Sequence, residues 1–452
     1  MKKTFSIIVS LIITTLLQAQ VPKTVSLAAG GLSSALTITE KSTITNLTIT
    51  GTINAFDFMT MRDEMPVLAI LDFSSATIVD GGTPANEIPT FAFYKSGTST
   101  GKASLTSITL ASSVNSIGDY AFKGCSGLVS IVIPASVTSI GGYAFEECSN
   151  LSSIIIPSSV TSIREYTFKG CSSLTTINIP SSVATIGYHA FENCNSLTSF
   201  NIPSSVSTIG VYAFSGCSGL ISVANNSSIT SIGDYTFYGC SKLTLISIPA
   251  SVTSIGVYAF GLCSSLVSIT IPPSITTIKS NTFFACRGLI SFKFPSSVTK
   301  IETDAFSYCS GLTSIYMYSS TPFQLSNVGI NYYFGQMNVS ACILYVPVGS
   351  KKAYGAADTW KEFNIVEFIP TEVKSIDKNE ICLYPNPVTE DFRVSGIKEI
   401  STFSLFDIEG RLLINRKIEN NESISTSSLP KGMYIVRINS EAGILENKLV
   451  KN

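Results

Sequence analysis

The 452-residue chain has one histidine, one tryptophan and few charges: Asp, Glu, Lys and Arg make up 13% of it and sum to −1. A single imidazole leaves most His-dependent acid–base schemes, and zinc sites built from clustered Cys and His, short of parts. Neither a Gly-rich phosphate loop nor a metal signature occurs, so no cofactor is called for. Without net positive charge or a basic run that tracks phosphates, nothing draws the chain to nucleic acid. Beyond the first twenty residues no apolar run is long enough to span a membrane.

What the chain has in abundance is order at one period. Nine cysteines, Cys125, Cys148, Cys171, Cys194, Cys217, Cys240, Cys263, Cys286 and Cys309, follow one another at intervals of 23 residues. Only a repeat architecture produces such spacing. A Phe stands three residues before each, from Phe122 to Phe306, and a Leu three after, from Leu128 to Leu312. Then come two aliphatic residues in alternation, usually a Pro, a Val and an Ile, as in Ile131, Ile133, Pro134, Val137 and Ile140.

One coil is spelled out by CSNLSSIIIPSSVTSIREYTFKG, residues 148–170. A unit this short cannot bury its own apolar face, so the repeated apolar positions must face the inside of a stack. LSSIIIP reads as a short strand with Leu151, Ile154 and Ile156 inward and Ser153 and Ile155 outward. Stacking pairs such strands in a parallel ladder at a spacing of about 4.8 Å. SVTSI reads as a second ladder and YTFKGC as a turn or short helical return. Ser, Thr, Ile and Val broken by Gly and Pro predict little helix.

An irregular coil precedes Cys125, with the Ala92–Phe93 pair, an insertion through KSGTSTGKAS, and the frame resumed at Leu105, Ile108, Leu110, Val114 and Ile117. Residues 20–90 read as an N-terminal cap, 91–317 as about ten 23-residue coils and 318–368 as a C-terminal cap. Both ends of a solenoid need a cover with a polar outer face. The unit L-x-x-I-x-I-P-x-S-V-x-S-I-G-x-Y-A-F-x-G-C resembles the BspA-like leucine-rich repeat of bacterial surface proteins. LTITGTINAFDFMTMRDEMPVLAILDFSSATI and LYVPVGSKKAYGAADTWKEF are similar to that family's opening and closing segments. The resemblance spans roughly residues 35–367. It implies a secreted or cell-surface interaction protein, with adhesion to extracellular proteins or cells as the activity.

Met1, Lys2 and Lys3, the apolar TFSIIVSLIITTLL, and then Gln18, Ala19 and Gln20 read as a signal peptide over residues 1–19, the apolar run being too short for a comfortable span. No cysteine stands at the expected cleavage, which argues against a lipid-anchored form, and no transmembrane segment remains in the mature chain. Beyond Phe368 the texture changes: residues 371–452 hold 23 of the 59 charged residues and the Cys–Phe period stops. We read residues 369–381 as a linker and 382–452 as a second domain. FRVSG, FSLFDI, RLLINRKI and MYIVRI predict the strands of a small β-sandwich. Leu383 with Tyr384, Pro385, Asn386 and Pro387, SLFDIEGRLL with Gly410, LPKGMYIVRI with Gly432 and Tyr434, and the closing NKLVKN resemble the C-terminal sorting (Por) domain of the type IX secretion system of Bacteroidetes. That resemblance implies the type IX machinery as a partner, and release or outer-membrane surface attachment, commonly with removal of the domain.

The fold class expected is therefore mainly β, a solenoid with parallel ladders followed by a β-sandwich. Equivalent cysteines in adjacent coils fall within disulfide reach, but their side chains point the same way and a total of 11 cannot pair within one chain. Buried thiols acting as small core hydrophobes are expected. A recurring aromatic column, Tyr120, Tyr143, Tyr166, His189, Tyr212, Tyr235 and Tyr258, stops at Asn281 and Asp304. It reads either as rings stacked between coils or as a ligand-binding stripe over the first seven coils. The outward strand face carries a hydroxyl column from Ser130 to Ser314, and beside it the variable column Val132, Ile155, Asn178, Asn201, Ala224, Ser247, Thr270, Lys293 and Tyr316. Such variation suits a ligand-reading surface or a tolerant solvent face, and the hydroxyl rows also suit ordered-water or ice contact. Glu146, Glu147, Glu165, Glu192 and Asp234 read as scattered surface charge. The function expected is protein or cell adhesion through an extended solenoid face, the partner being an unidentified extracellular protein, glycan or cell surface. A structural spacer without a specific ligand and a carbohydrate-active accessory enzyme are the alternatives.

Overall fold

The computed structural model describes residues 20–225, 228–323, 329–369, 382–384, 388–395, 397, 400–407, 412–440 and 443–451, so the signal-peptide reading and residues 370–381 of the linker lie outside the described residues. The chain divides into two compact units, Met1–Phe368 and Ile369–Asn452.

In the first unit each inward position meets its own equivalent one coil away. The strands Ser107–Thr109, Ser130–Ile131, Ser153–Ile155 and Thr176–Asn178 pair in parallel and in register. They extend three longer strands, Pro22–Leu27, Asn46–Ile53 and Ile70–Ile78, into one seven-stranded sheet. Ile154 and Ile156 are buried while Ile155 is 78% exposed, as alternation across a strand requires. The expected second ladder forms from two-residue strands such as Ser162–Ile163, Thr185–Ile186 and Thr208–Ile209.

The return segments are turns, with no helix. In each, alternate amides leave the coil. Tyr120, Phe122 and Gly124 donate to Gly142, Ala144 and Glu146 of the next coil at 3.0, 2.8 and 2.7 Å, while Lys123 and Cys125 donate back to Tyr120 and Phe122. This alternation places two residues per coil at left-handed φ, Tyr120 at 59° and Gly124 at 67° in the first, and their equivalents thereafter. Gly is frequent at the second because it adopts that φ without steric cost.

The interior is a run of phenylalanines. From Phe93 to Phe334 the rings stack at centroid spacings of 5.2 to 5.7 Å. Edge-on rings close both ends, Phe58 against Phe93 and the single Trp360 against Phe334. Beside them the repeat cysteines are buried and unpaired. They do more than fill space: Cys148 Sγ donates to the Phe122 carbonyl one coil back at 3.1 Å, and the pattern continues to Cys309 and Phe283. In the N-terminal cap the helix Ala55–Asp63 is capped by Asn54, and the buried Asp57 carboxylate accepts amides of Gly30, Leu32 and Asn54.

The ladders are less continuous than the repeat suggests. The first breaks between Thr176–Asn178 and Ser199–Ile202, and residues 267–271 form no strand. Both neighbouring strands, Ser199–Ile202 and Ser291–Phe294, carry Phe where most coils carry Ile, and Phe200 and Phe292 wedge edge-on against the Phe row at 4.6 to 5.2 Å. The first of these breaks leaves the Thr198 amide 3.4 Å from the Thr175 carbonyl.

The second unit holds two antiparallel sheets. One is Cys382–Tyr384, Asp391–Ser395 and Ser423–Ser425; the other is Leu412–Ile418, Ser401–Phe406, Gly432–Ser440 and Gly443–Lys451 in that spatial order. Phe392, Val394, Phe403, Leu405, Val436 and Ile438 of both sheets share one core, which makes a small β-sandwich.

Phe214→Ala should cost about 3–5 kcal/mol and loosen several neighbouring coils together; a near-neutral denaturant titration would count against the stacked row. The thiols give a second test. Burial pushes Cys125, Cys217 and Cys309 up to about 12, so as pH rises past about 8.5 the unfolded chain ionises first. Stability that is intact below that pH should fall steadily toward about pH 12, and denaturant midpoints that stay flat through this range would mean the thiols are not held protonated.

Candidate binding surface

Two outward features of the solenoid carry chemistry beyond packing, the aromatic column on the return turns and the variable column on the first ladder. The return turn fixes the ring column: each member sits at left-handed φ, from 53° at His189 to 61° at Tyr212. For a residue other than Gly that conformation costs about 1–2 kcal/mol. Face-to-face stacking offsets it. Tyr120, Tyr143, Tyr166, His189, Tyr212, Tyr235 and Tyr258 form one continuous stack with centroids 4.4 to 4.9 Å apart and planes within 18°. Phe91 continues it toward the N-terminus at 4.9 Å, a member hidden from a 23-residue count by the insertion. Asn281 and Asp304 keep the backbone conformation after the rings end. Aromatics do not end there, because Phe284 and Tyr308 carry edge-to-face contacts onward from Tyr258.

Beside the rings runs a charge column that the reading of scattered carboxylates missed. Lys123, Glu146, Lys169 and Glu192 occupy equivalent positions in four successive coils, with Lys123–Glu146 at 2.7 Å and Lys169–Glu192 at 2.8 Å. Their 23-residue spacing was the available signal. Lys123 Nζ also lies 5.1 to 5.6 Å from the ring centroids of Tyr94, Tyr120 and Tyr143. His189, between Tyr166 and Tyr212, contacts Glu192 Oε2 through Nδ1 at 2.8 Å. Burial and the neighbouring tyrosines push the Tyr143 phenol up to about 12. Ring faces in this column are covered by one another, so only half-buried rims remain for a ligand.

The strand face differs. Val132 is 81% and Ile155 78% exposed, and Asn178, Asn201, Ala224, Ser247, Thr270 and Lys293 are exposed after them. The register continues the column into the C-terminal cap, where Lys293 pairs with Tyr316 and Tyr316 with Tyr345. From the start of the repeats to Thr270 the column bears no charge. A hollow of about 230 Å³ in the N-terminal cap, lined by Phe58, Met59, Arg62, Thr83 and Phe91 among others, is below the ordinary size of a ligand pocket. Among the described residues no His, Cys, Asp and Glu group is placed to hold a metal ion.

In the second unit Tyr384 lies on a strand, Gly432 opens one at φ 156°, and the buried Tyr434 donates from its hydroxyl to the Pro430 carbonyl at 2.6 Å. Pro385, Asn386, Pro387 and Gly410 lie outside the described residues.

A family model described as the BspA type leucine-rich repeat region matches residues 86–221 and 185–313 in six copies. One described as a secretion system C-terminal sorting domain matches residues 382–452. Among solved structures, a leucine-rich repeat protein of T. pallidum is 37% identical over 34% of this chain and 72% of its own, with a TM-score of 0.33. A leucine-rich repeat protein from Bacteroides ovatus is 25% identical over 76% and 87%, with a TM-score of 0.45. A leucine-rich cell surface protein from Faecalibacterium prausnitzii is 24% identical over 72% and 83%, with a TM-score of 0.38. No curated protein matches the chain. Among the described residues no helix is long and apolar enough to cross a membrane.

Tyr212→Phe should leave thermal stability nearly unchanged, because the ring stack survives without the hydroxyl. Tyr212→Ala should lose two stacked contacts, about 1–3 kcal/mol. Equal melting of the two variants would show that stacking does not hold the left-handed turn.

Proposed function

We propose that this chain, which belongs to the BspA-type leucine-rich repeat family, is a non-enzymatic adhesion protein that binds an extracellular macromolecule along its first strand ladder. Its C-terminal sorting domain belongs to type IX secretion, and the protein is secreted or displayed at the cell surface. The observation that carries the reading is the outward column from Val132 to Tyr345. It recurs once per coil, on paired strands over three separate stretches, it is exposed from Val132 to Lys293, and it changes chemical character along its length. Exposed aliphatic side chains at Val132 and Ile155, followed by amides at Asn178 and Asn201, give an apolar patch with hydrogen-bonding neighbours, the composition of a protein-contact surface. The tyrosine column offers rims only and serves chiefly as a brace.

An enzymatic reading has little to stand on. Glu146 and Glu192 are matched with lysines, and the one histidine is stacked between tyrosines.

The whole chain should bind saturably to at least one member of a panel of extracellular-matrix proteins, whole bacterial cells and glycans. Val132→Ser, Ile155→Ser and Asn178→Ala together should weaken that binding by about tenfold or more, with circular dichroism unchanged because all three side chains are exposed. Binding indifferent to the triple change would move the site off this face, and no saturable binding anywhere would favour a structural spacer.

A further inference from the structure

The C-terminal stretch of the strand face has a chemistry of its own. Between Asp234 and Glu302 the sequence contains five cationic residues, Lys242, Lys279, Arg287, Lys293 and Lys300, and no acidic one. Three of them gather on one side. Lys293 stands on the outward column, and Lys242 and Arg287 lie in the turns that lead into the ladder, two coils apart and so about 10 Å from each other along the stack. All three are exposed, and none has an ion-pair partner among the described residues. The nearby acids are occupied: Glu302 pairs with Lys300, and Glu367 accepts the amides of Gly349 and Lys351.

The aromatics beside these cations restrict what can bind. Tyr316 and Tyr345 stack on each other at 4.5 Å and 8°, and Lys293 Nζ lies 5.9 Å from the Tyr316 centroid on the neighbouring strand. Phe368 packs edge-on to Tyr316 and to Tyr318. With their faces turned to one another along the ladder, the rings give a nucleobase or a pyranose no platform. They leave hydroxyls instead. None of the phenols of Tyr316, Tyr318 and Tyr345 is hydrogen-bonded to another described residue. Positive charge with free hydroxyl rims suits a partner that brings anionic oxygens and hydroxyls of its own.

We propose that Lys242, Arg287 and Lys293, with the hydroxyl rims of Tyr316 and Tyr345, form a binding site for an anionic polysaccharide carrying carboxylate or sulfate groups. The site deepens the adhesion reading, since it lies on the same face and supplies one ligand class for it. Charge complementarity gives the attraction: Lys242 and Arg287 are set two coils apart along the turns, and Lys293 stands on the strand that follows Arg287 in the same coil.

Heparin, polygalacturonate, laminarin and single-stranded DNA are the probes, each titrated into the whole chain. Heparin should bind at low salt and be released as salt rises. Lys242→Gln, Arg287→Gln and Lys293→Gln together should weaken it by about ten- to a hundredfold, and Tyr316→Phe with Tyr345→Phe by a few-fold. Arg164→Gln, whose partner Asp119 lies 3.0 Å away on the return side, should change nothing. Polygalacturonate binding as well as heparin would assign carboxylate recognition, and heparin alone sulfate; either supports the site. Heparin binding untouched by the triple change, laminarin binding as tight as heparin, or DNA binding with the same dependence on the three cations would overturn it. Loss of this site with protein or cell binding retained through Val132 and Ile155 would leave the broader adhesion reading standing.

Discussion

In a parallel stack of coils the nearest neighbour of each side chain is its own equivalent 23 residues away, so every column must tolerate its own repetition. Apolar side chains do this readily, and Phe rings do it best when stacked. Thiols succeed because, from Cys148 to Cys309, each has a carbonyl one coil back to point at. Charge cannot repeat at about 4.8 Å without repulsion, and the column of Lys123, Glu146, Lys169 and Glu192 alternates in sign. Past Glu192 it abandons charge for Ser215, Tyr238, Gly261, Phe284 and Ser307. Gly261 there lets the Tyr238 ring close over the backbone, since a Cβ would meet Tyr238 Cδ2 at 3.0 Å. The left-handed turn obeys the same rule: rings hold it while they can stack on rings, and Asn and Asp, which tolerate that φ, take over when they cannot.

Repetition also sets where the stack is weakest. A Phe in place of Ile at an inward strand position needs room that the Phe row does not yield, and Phe200 and Phe292 mark the coils beside which the first ladder is interrupted. Between the coils of Cys240 and Cys263 neither ladder is paired. That boundary is held by the return turn, where Tyr258, Phe260 and Leu262 donate to Ser280, Thr282 and Phe284 at 3.3, 2.9 and 2.7 Å, and by the rings Phe260 and Phe283. The side of the coil with the least regular secondary structure is thus the one that carries continuity along the solenoid.

Much of this was legible from the period alone. In-facing and out-facing positions, both ladders, the buried thiols and the β-sandwich follow from alternation and spacing, because burial in a solenoid is decided by one coil and copied. What escaped depends on relations between columns. A count of Cys and Phe does not reveal that Lys123 and Glu146 become neighbours, that an insertion hides Phe91 at the head of the ring stack, or that the tyrosines sit at positive φ. The ladder interruptions were out of reach for a related reason: Phe200 looks as apolar as Ile154, and only the filled space around the Phe row makes its extra volume matter.

The same constraint tells where specificity can reside. Inward columns are committed to packing, the hydroxyls of Ser159, Ser182 and Ser205 are committed to carbonyls one coil back, and the ring column is committed to itself. Only an outward column that escapes self-repetition can hold information, and the one from Val132 to Tyr345 is varied enough for that. It passes from aliphatic through amide and hydroxyl to cation and aromatic without two long runs of any residue. Over about ten rungs of 4.8 Å that is roughly 50 Å of surface, far longer than a small molecule and suited to a polymer or a protein face. A ligand lying along it would meet different chemistry at its two ends, and the ladder would therefore fix its polarity as well as its position.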